Sequence, residues 1–389
     1  LSYFVYFVII VSFFDTFSQL PLISPYALEL GGSSLMIGIV VGMYSFSNML
    51  GNVFAGQFID GVGRKKIMII GMVIAGGSLL VYGLVTTVEQ LAAVRFLHGI
   101  GGALLVPAAF AYLGDRAEPG KRGKNMAISG AAIGFAALIG PAFGGILKER
   151  VGIQAVFYLV AIIMLFTAML VKFFLPEKSI IKEKQKEIDL NKYLELLTNN
   201  NLICAYLSAF VLMYAKGILA YMLPLKAQLL GFGSAISGML FSVFAIVAIL
   251  LFVLPTNRFS DSVGRFKPML AGIVIIAFSL LLLSSFSHLS LIILAMAAYG
   301  IGFGLLFPSI TALVVDNTEA EDRGRAFGLF YAFFSLGVVI GPLLIGILNV
   351  TPDKGFIVGS MGVFFGGGIL YLRRNLSVNI EYVEQGENS

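Results

Sequence analysis

The sequence predicts an all-α membrane protein of twelve transmembrane helices in two six-helix, pseudo-symmetric halves, and three observations carry that expectation. Hydrophobic residues make up 58% of the 389-residue chain, charged residues only 12%, and mean hydropathy is +0.95; a soluble chain is about 25% charged, so this composition cannot cover a water-exposed surface. Some twelve stretches reach the roughly 20 apolar residues needed to cross a bilayer. The chain also repeats itself: Asp60, Gly63 and Arg64 recur 201 residues on as Asp261, Gly264 and Arg265, Gly99 and Gly101 as Gly300 and Gly302, Pro107 as Pro308, Glu118, Arg122 and Gly123 as Glu319, Arg323 and Gly324, and Gly140-Pro141 as Gly341-Pro342. Strand-period alternation is absent, and hydrocarbon admits only helices or closed barrels. One unit used twice within such a chain is the sequence signature of a transporter built from two halves.

The first span, 3–27, resembles a signal peptide only superficially: it is long, carries Asp15 and lacks a small-residue cleavage site before the next span, so it is expected to stay as a helix. Spans follow at 34–59, 67–86, 91–113, 125–147 and 153–175, completing the first half (1–175). Residues 176–200 are the one long polar break, with Glu177, Lys178, Lys182, Glu183, Lys184, Lys186, Glu187 and Asp189; mixed charge of this kind reads as a solvated, partly helical linker, with a surface-lying amphipathic helix as the alternative. The second half (201–372) carries spans at 201–229, 235–256, 267–286, 289–315, 325–349 and 355–372, and the polar tail 373–389 is expected to lack order.

Lys and Arg set the orientation. With both termini cytoplasmic, Lys148, Arg150, Lys226 and Lys354 are the basic residues left outside and Arg95 and Lys216 those within spans; the rest of the 26 fall on the inner side. Such a chain belongs in a plasma (bacterial inner) membrane as a multi-pass protein. Its net charge of +5 is accounted for by inner loops facing anionic lipid, so nucleic acid need not be invoked. The lone Cys204 supports neither a disulfide framework nor a metal site.

The loop Gly56-Gln-Phe-Ile-Asp60-Gly-Val-Gly63-Arg64-Lys65-Lys66 resembles the signature loop of the major facilitator superfamily. Arg95 through Gly99, Gly101 and Gly102 is similar to that superfamily's helix 4 motif, with His98 where a polar amide is common. In helix 5, Gly130, Gly134, Gly140, Pro141, Gly144 and Gly145 resemble the motif of its antiporters, especially the twelve-span drug:H+ antiporters, and Asp15 followed by Leu20-Pro21 and Pro25 fits the same branch. The resemblance implies a secondary transporter whose halves rock around a central cavity. On physical grounds, glycines in membrane helices let backbones approach closely, so the helix 5 set suits a packed seam with a local bend at Gly140-Pro141, or ordinary helix packing. Asp60 can meet the positive N-terminus of helix 11 near Gly324, Arg64 can pair with Asp115, and Arg265 with Asp316 in the duplicate that includes Asp261. These contacts are expected to form with the inner side closed; the alternative is that Arg64, Lys65 and Lys66 only set topology.

An ionised group at mid-bilayer costs about 2.5–3.5 kcal/mol on insertion scales and is retained mainly in wet cavities or against a partner. Asp15, Arg95 and Lys216 are such groups, and Lys216 lies 201 residues beyond Asp15. An Asp15–Lys216 pair across the cavity could take up a proton on separating, or could be a fixed organising pair; Lys216 could also snorkel away. Arg95 reads as a participant in proton transfer or as an interfacial anchor, and His98 as a group titrating near neutrality or as a helix–helix hydrogen-bond donor. Tyr44, Phe46, Tyr221, Met222 and Tyr299 are candidates for a lipophilic wall.

No phosphate-binding loop appears, Gly300-x-Gly302-x-Gly304 lies in an apolar span where packing explains it, and two histidines with one cysteine leave nothing for a metal centre or nucleophilic triad. The expectation is a non-enzyme without cofactors, monomeric, exchanging a small lipophilic molecule for protons in contact with membrane lipid. Export of a defined metabolite, sugar or lipid-like molecule is the alternative, and a lipid scramblase or a receptor the alternative of another class.

Overall fold

The computed structural model describes residues 2–115, 122–176, 190–253, 264–319 and 321–387. Among them are fourteen α-helices: α1 (Ser2–Ser18), α2 (Ile23–Glu29), α3 (Ser34–Val62), α4 (Arg64–Tyr82), α5 (Val88–Gly114), α6 (Arg122–Val151), α7 (Ile153–Phe174), α8 (Leu190–Thr198), α9 (Asn200–Leu229), α10 (Ser234–Val253), α11 (Phe266–Ser285), α12 (Leu289–Asp316), α13 (Arg323–Leu348) and α14 (Pro352–Glu387). Eleven are long and apolar enough to cross a membrane, and the bent pair α1 and α2 makes twelve.

That bend corrects the single helix expected over 3–27. α1 and α2 meet at 44°. Pro21 has no N–H to give the carbonyl of Phe17, which instead accepts from the Leu20 N–H at 3.2 Å, while Gln19 O receives the N–H groups of Leu22 and Ile23. The Ser18 hydroxyl and the Gln19 side-chain amide both turn back to Asp15 O, offering the chain local partners where the helical ladder stops.

The expected tail is also helical: α14 runs on to Glu387. Arg373 exchanges hydrogen bonds with Asn200, and the Arg374 guanidinium lies 4.9 Å from the centre of the Phe266 ring, so the helix is anchored beyond its apolar stretch. In the polar break, α8 is a short amphipathic helix with Leu194 exposed and Lys192 bonded to Glu195. Residues 177–189 lie outside the described set.

The chain packs as two units, one of residues 1–185, 220–245 and 342–350, the other of 186–219, 246–341 and 351–389. The packing boundary therefore passes through α9, α10 and α13 rather than following the sequence boundary between the repeats. In the first unit, Gly71 of α4 faces Gly101 and Leu105 of α5 so closely that an added Cβ would lie 2.8 Å from the Gly101 carbonyl; in the second, Gly272 meets Gly302 and Leu306 with 2.7 Å in the same place. Gly140 packs on Phe17 and Ser18 in the first unit, and Gly341 on Tyr214 and Ile218 in the second. The 201-residue repeat is thus a repeat of packing as well as of letters.

Two small-residue seams hold the first unit at the end of the bundle away from the Gly63 turn. Along one, α6 meets α10: Ser234 Oγ donates to Gly145 O at 2.8 Å, Gly238 abuts the Pro141 carbonyl, and Ser242 Oγ donates to Leu138 O at 2.7 Å. Glu149 closes this seam, its carboxylate accepting from the Ala235 N–H at 2.9 Å, one of the donors that a helix start leaves without an intrahelical partner. Along the other seam, α3 meets α13: Gly38 abuts Pro342, Gly346 lies against Ser34 and Leu35, and Ser34 Oγ donates to Asn349 Oδ1 at 2.5 Å.

Candidate functional site

The site starts from a carboxylate placed where a helix gives out. Asp15 sits in the last turn of α1 and is 2% exposed. Gln19, four residues on and therefore above the same face, donates its side-chain amide to Asp15 Oδ1 at 2.7 Å. The other face of that amide accepts from Arg95 Nη1 at 3.2 Å. A guanidinium can only donate, so Gln19 must present its oxygen to Arg95 and its NH₂ to Asp15. Gln19 thus links acid to base without letting them touch.

Arg95 and His98 stand three residues apart on one face of α5, and both are buried. His98 Nε2 lies 2.7 Å from Asp15 Oδ2, and Nδ1 lies 3.0 Å from the Tyr82 hydroxyl at the end of α4. Tyr44 of α3 completes the enclosure. The Arg95 guanidinium lies 5.6 Å from its ring centre, His98 meets that ring edge-on at 5.0 Å, and its hydroxyl is 3.3 Å from Thr16 Oγ1. Glycine makes this approach possible: a Cβ at Gly99 would collide with Ser47 Oγ and the Tyr44 carbonyl, and one at Gly102 with the Tyr44 hydroxyl. Tyr26 of α2 braces Tyr82 by donating to its carbonyl at 3.0 Å.

Four helices therefore bring Asp15, Arg95 and His98 of the sequence-derived set into one network, together with Gln19, Tyr44 and Tyr82. The described side-chain partners of Asp15 are Gln19 and His98. Lys216, expected opposite Asp15, lies in the second unit. The 201-residue equivalents of Gln19, Tyr44, Tyr82, Arg95 and His98 are Ala220, Ala245, Leu283, Met296 and Tyr299, so the network belongs to the first repeat alone. Of the expected lipophilic wall, Tyr221, Met222 and Tyr299 are packed in the interior and Phe46 is exposed.

The expected ion pairs form within each repeat. Arg64 Nε lies 2.6 Å from Asp115 Oδ2, and Arg265 Nε 2.9 Å from Asp316 Oδ2. Arg64 begins α4 and Asp115 ends α5, so each charge sits at the helix end whose dipole opposes it, and pairing offsets both penalties. Gly63 and Gly264, with φ of 105° and 81°, make the turns that deliver the two arginines, a backbone state that a side chain resists. Gly56 and Asp60 lie in α3, but the Asp60 side chain and all of Asp261 fall outside the described residues. Each bridge joins two helices of one repeat, so neither by itself senses the other repeat.

The helix 5 motif divides between two neighbours. Gly140 and Gly144 receive Phe17 and Ser18 of α1, just past Asp15, whereas Pro141 and Gly145 face α10. Gly130 has open space where a side chain would project, and Gly134 lies one turn on in α6. Among the described residues no three His, Cys, Asp or Glu side chains gather as a metal site would require.

The family model of the Major Facilitator Superfamily matches residues 5–254 and 205–380. An uncharacterized MFS-type transporter of Methanocaldococcus jannaschii is 28% identical over 354 residues, spanning 88% of this chain and 90% of the relative. Multidrug resistance protein 2 of Bacillus subtilis is 29% identical over 82% of this chain and 81% of its own length. Among solved structures, a bacterial homologue of the human lysosomal transporter Spinster superposes with a TM-score of 0.82 over 96% of each chain at 13% identity, a likeness of fold.

Proposed function

Because this chain belongs to the Major Facilitator Superfamily, we propose that it is a proton-coupled exporter of small, lipophilic compounds, an antiporter working by alternating access. It is a multi-pass membrane transporter and not an enzyme; the coupling, the direction and the substrate class are the proposal. The observation that carries it is the buried Asp15 network: a carboxylate 2% exposed within a membrane-crossing segment, bonded to an imidazole and linked through one amide to a guanidinium. Groups of this kind inside a membrane mark proton and substrate routes. Relatives named as multidrug resistance proteins support the lipophilic substrate class.

In this reading both termini are cytoplasmic, the chain works as a monomer in the plasma membrane, and the end closed by the α6–α10 and α3–α13 seams faces outward. A proton taken up from outside at the Asp15 site competes with substrate arriving from inside, which makes the exchange obligatory. Lys216, at the equivalent point of the second repeat, is the second charged group of the cycle. Arg64–Asp115 and Arg265–Asp316 fix the inner helix ends, and Asp60 and Asp261 complete the latch. A second reading, export of one defined metabolite, sugar or lipid-like molecule, is favoured by charge: Arg95, reached through Gln19, already balances Asp15, which makes the network a poor trap for cations.

Everted membrane vesicles given an acid interior should accumulate a fluorescent lipophilic probe and lose it when the gradient is collapsed. Accumulation that ignores the gradient would overturn the coupling, and accumulation confined to one polar metabolite would favour the second reading.

A further inference from the structure

Around Asp15 the Arg95–Gln19 and Gln19–Asp15 hydrogen bonds have a fixed sense, and the two links of His98 follow from where its proton sits. Arg95 can only donate, so Gln19 accepts from it and donates onward to Asp15 Oδ1. That amide N–H donates to Asp15 Oδ1, so this oxygen is an acceptor. With Asp15 as the carboxylate, its Oδ2 accepts from His98 Nε2–H at 2.7 Å. With Nε2 carrying the proton, neutral His98 presents a bare Nδ1, which accepts from the Tyr82 hydroxyl at 3.0 Å. A phenol oxygen can donate or accept by rotating its O–H. The Tyr82–His98 link is the one place where the chain can reverse without breaking another bond.

From this juxtaposition we infer that His98, not Asp15, holds the transferable proton, with Asp15 as its fixed counter-ion and Tyr82 as the group that turns to admit it. The role in transport rests on the proton-coupled reading above; the place of the proton does not. Uptake adds one H⁺ at Nδ1, the Tyr82 hydroxyl rotates from donor to acceptor, and Nε2–H remains on Asp15. Release reverses this, and no covalent bond other than N–H forms or breaks. The group so formed is an imidazolium against a carboxylate, with the Arg95 guanidinium one amide from Asp15 and also within hydrogen-bonding reach of the Tyr82 hydroxyl, which can accept from both. The titratable and charged groups facing His98 are Asp15 from α1, Tyr44 from α3, Tyr82 from α4 and Arg95 from its own helix, and the Tyr26 hydroxyl of α2 is directed at the Tyr82 and Val85 carbonyls. None but His98 combines an imidazole with a partner on each ring nitrogen. The equivalent position in the second repeat is Tyr299, so the chain has one such group rather than two.

The chain holds two histidines, His98 and His288, and the second lies in the turn before α12, which makes a spectroscopic test direct. The full chain, labelled with ¹⁵N-histidine and ¹³C-aspartate and placed in liposomes, is read by solid-state NMR from about pH 9 to about pH 5, the range spanning an ordinary imidazole titration; His288→Gln isolates the His98 signals. The expected result is conversion of His98 from the Nε2–H neutral form to imidazolium while the Asp15 carboxyl carbon keeps its ionised shift. Tyr82→Phe should lower the imidazolium fraction at a given pH, and His98→Gln should reduce gradient-driven transport roughly tenfold or more. An imidazole that stays neutral while the Asp15 carbon shifts to its protonated value would overturn the inference and leave proton coupling intact. A titrating His98 in vesicles that show no gradient-driven transport would instead overturn the proposed function while leaving the proton's place established.

Discussion

Gln19 decides what Asp15 and Arg95 can do for one another, because its amide keeps them one side chain apart and fixes which atoms donate. Replacing it with Leu deprives both charges of a buried hydrogen bond, worth about 1.5–3 kcal/mol where a charged group is involved. Gln19→Leu should therefore lower the melting temperature in detergent and depress transport at every pH, measured by thermal unfolding and dye accumulation. Asp15, Arg95 and His98 were legible in the sequence because polar letters stand out in apolar spans. Gln19 and Tyr82 were not, and Tyr44 was read only as part of a lipophilic wall: two of the three are aromatic in a chain with 15 Tyr and 34 Phe, and Gln19 matters only because the chain breaks beside it. The Asp15–Lys216 pairing was expected from two intramembrane charges at equivalent points of the repeat; the described partners of Asp15 are Gln19, just past α1, and His98 of α5.

At the scale of elements, α6 shows how one helix can serve two contacts with small residues. Gly145 carries the Ser234 carbonyl and Ala235 of α10 against its bare Cα, so Gly145→Val should force the seam apart. Its measurable consequence is faster labelling of a cysteine introduced at Ser234. Glu149→Ala removes the carboxylate cap from α10, a change that costs about 0.5–2 kcal/mol at helix starts generally, and it should weaken the same seam less severely. For the partly exposed Arg64–Asp115 pair, a double-mutant cycle should return only about 0.2–1 kcal/mol, since much of each residue's effect lies in opposing its own helix dipole. The glycines at 63 and 264 were legible as turns, as were most span positions, because apolar length and loop charge encode them. The 44° break between α1 and α2 and the extension of α14 to Glu387 were not. The first depends on side chains returning to one carbonyl, contacts that hydropathy does not register, and the second on helix continuing through polar sequence past the apolar span.

For the whole molecule, the 201-residue repeat matched Gly101 to Gly302, which pack alike on Gly71 and Gly272, and it foretold both arginine–aspartate bridges. It did not foretell the asymmetry, a polar network in one repeat whose equivalents in the other are mostly apolar apart from Lys216 and Tyr299, because repeats are recognised by what they share. The Ser34–Asn349 contact offers a handle on the working cycle. In a Cys204→Ser background, cysteines at 34 and 349 should cross-link on oxidation, stop transport, and restore it on reduction. A cross-linked protein that still transports would remove this seam from the cycle. Exchange of substrate for a proton carried by the Asp15–His98 network is read out by substrate-triggered proton release from proteoliposomes, comparing wild type with Asp15→Asn across cationic, neutral and anionic amphiphiles. The wild type should release protons for at least one class and Asp15→Asn for none; equal release from both, or transport by the wild type with no proton signal, would rule this coupling out.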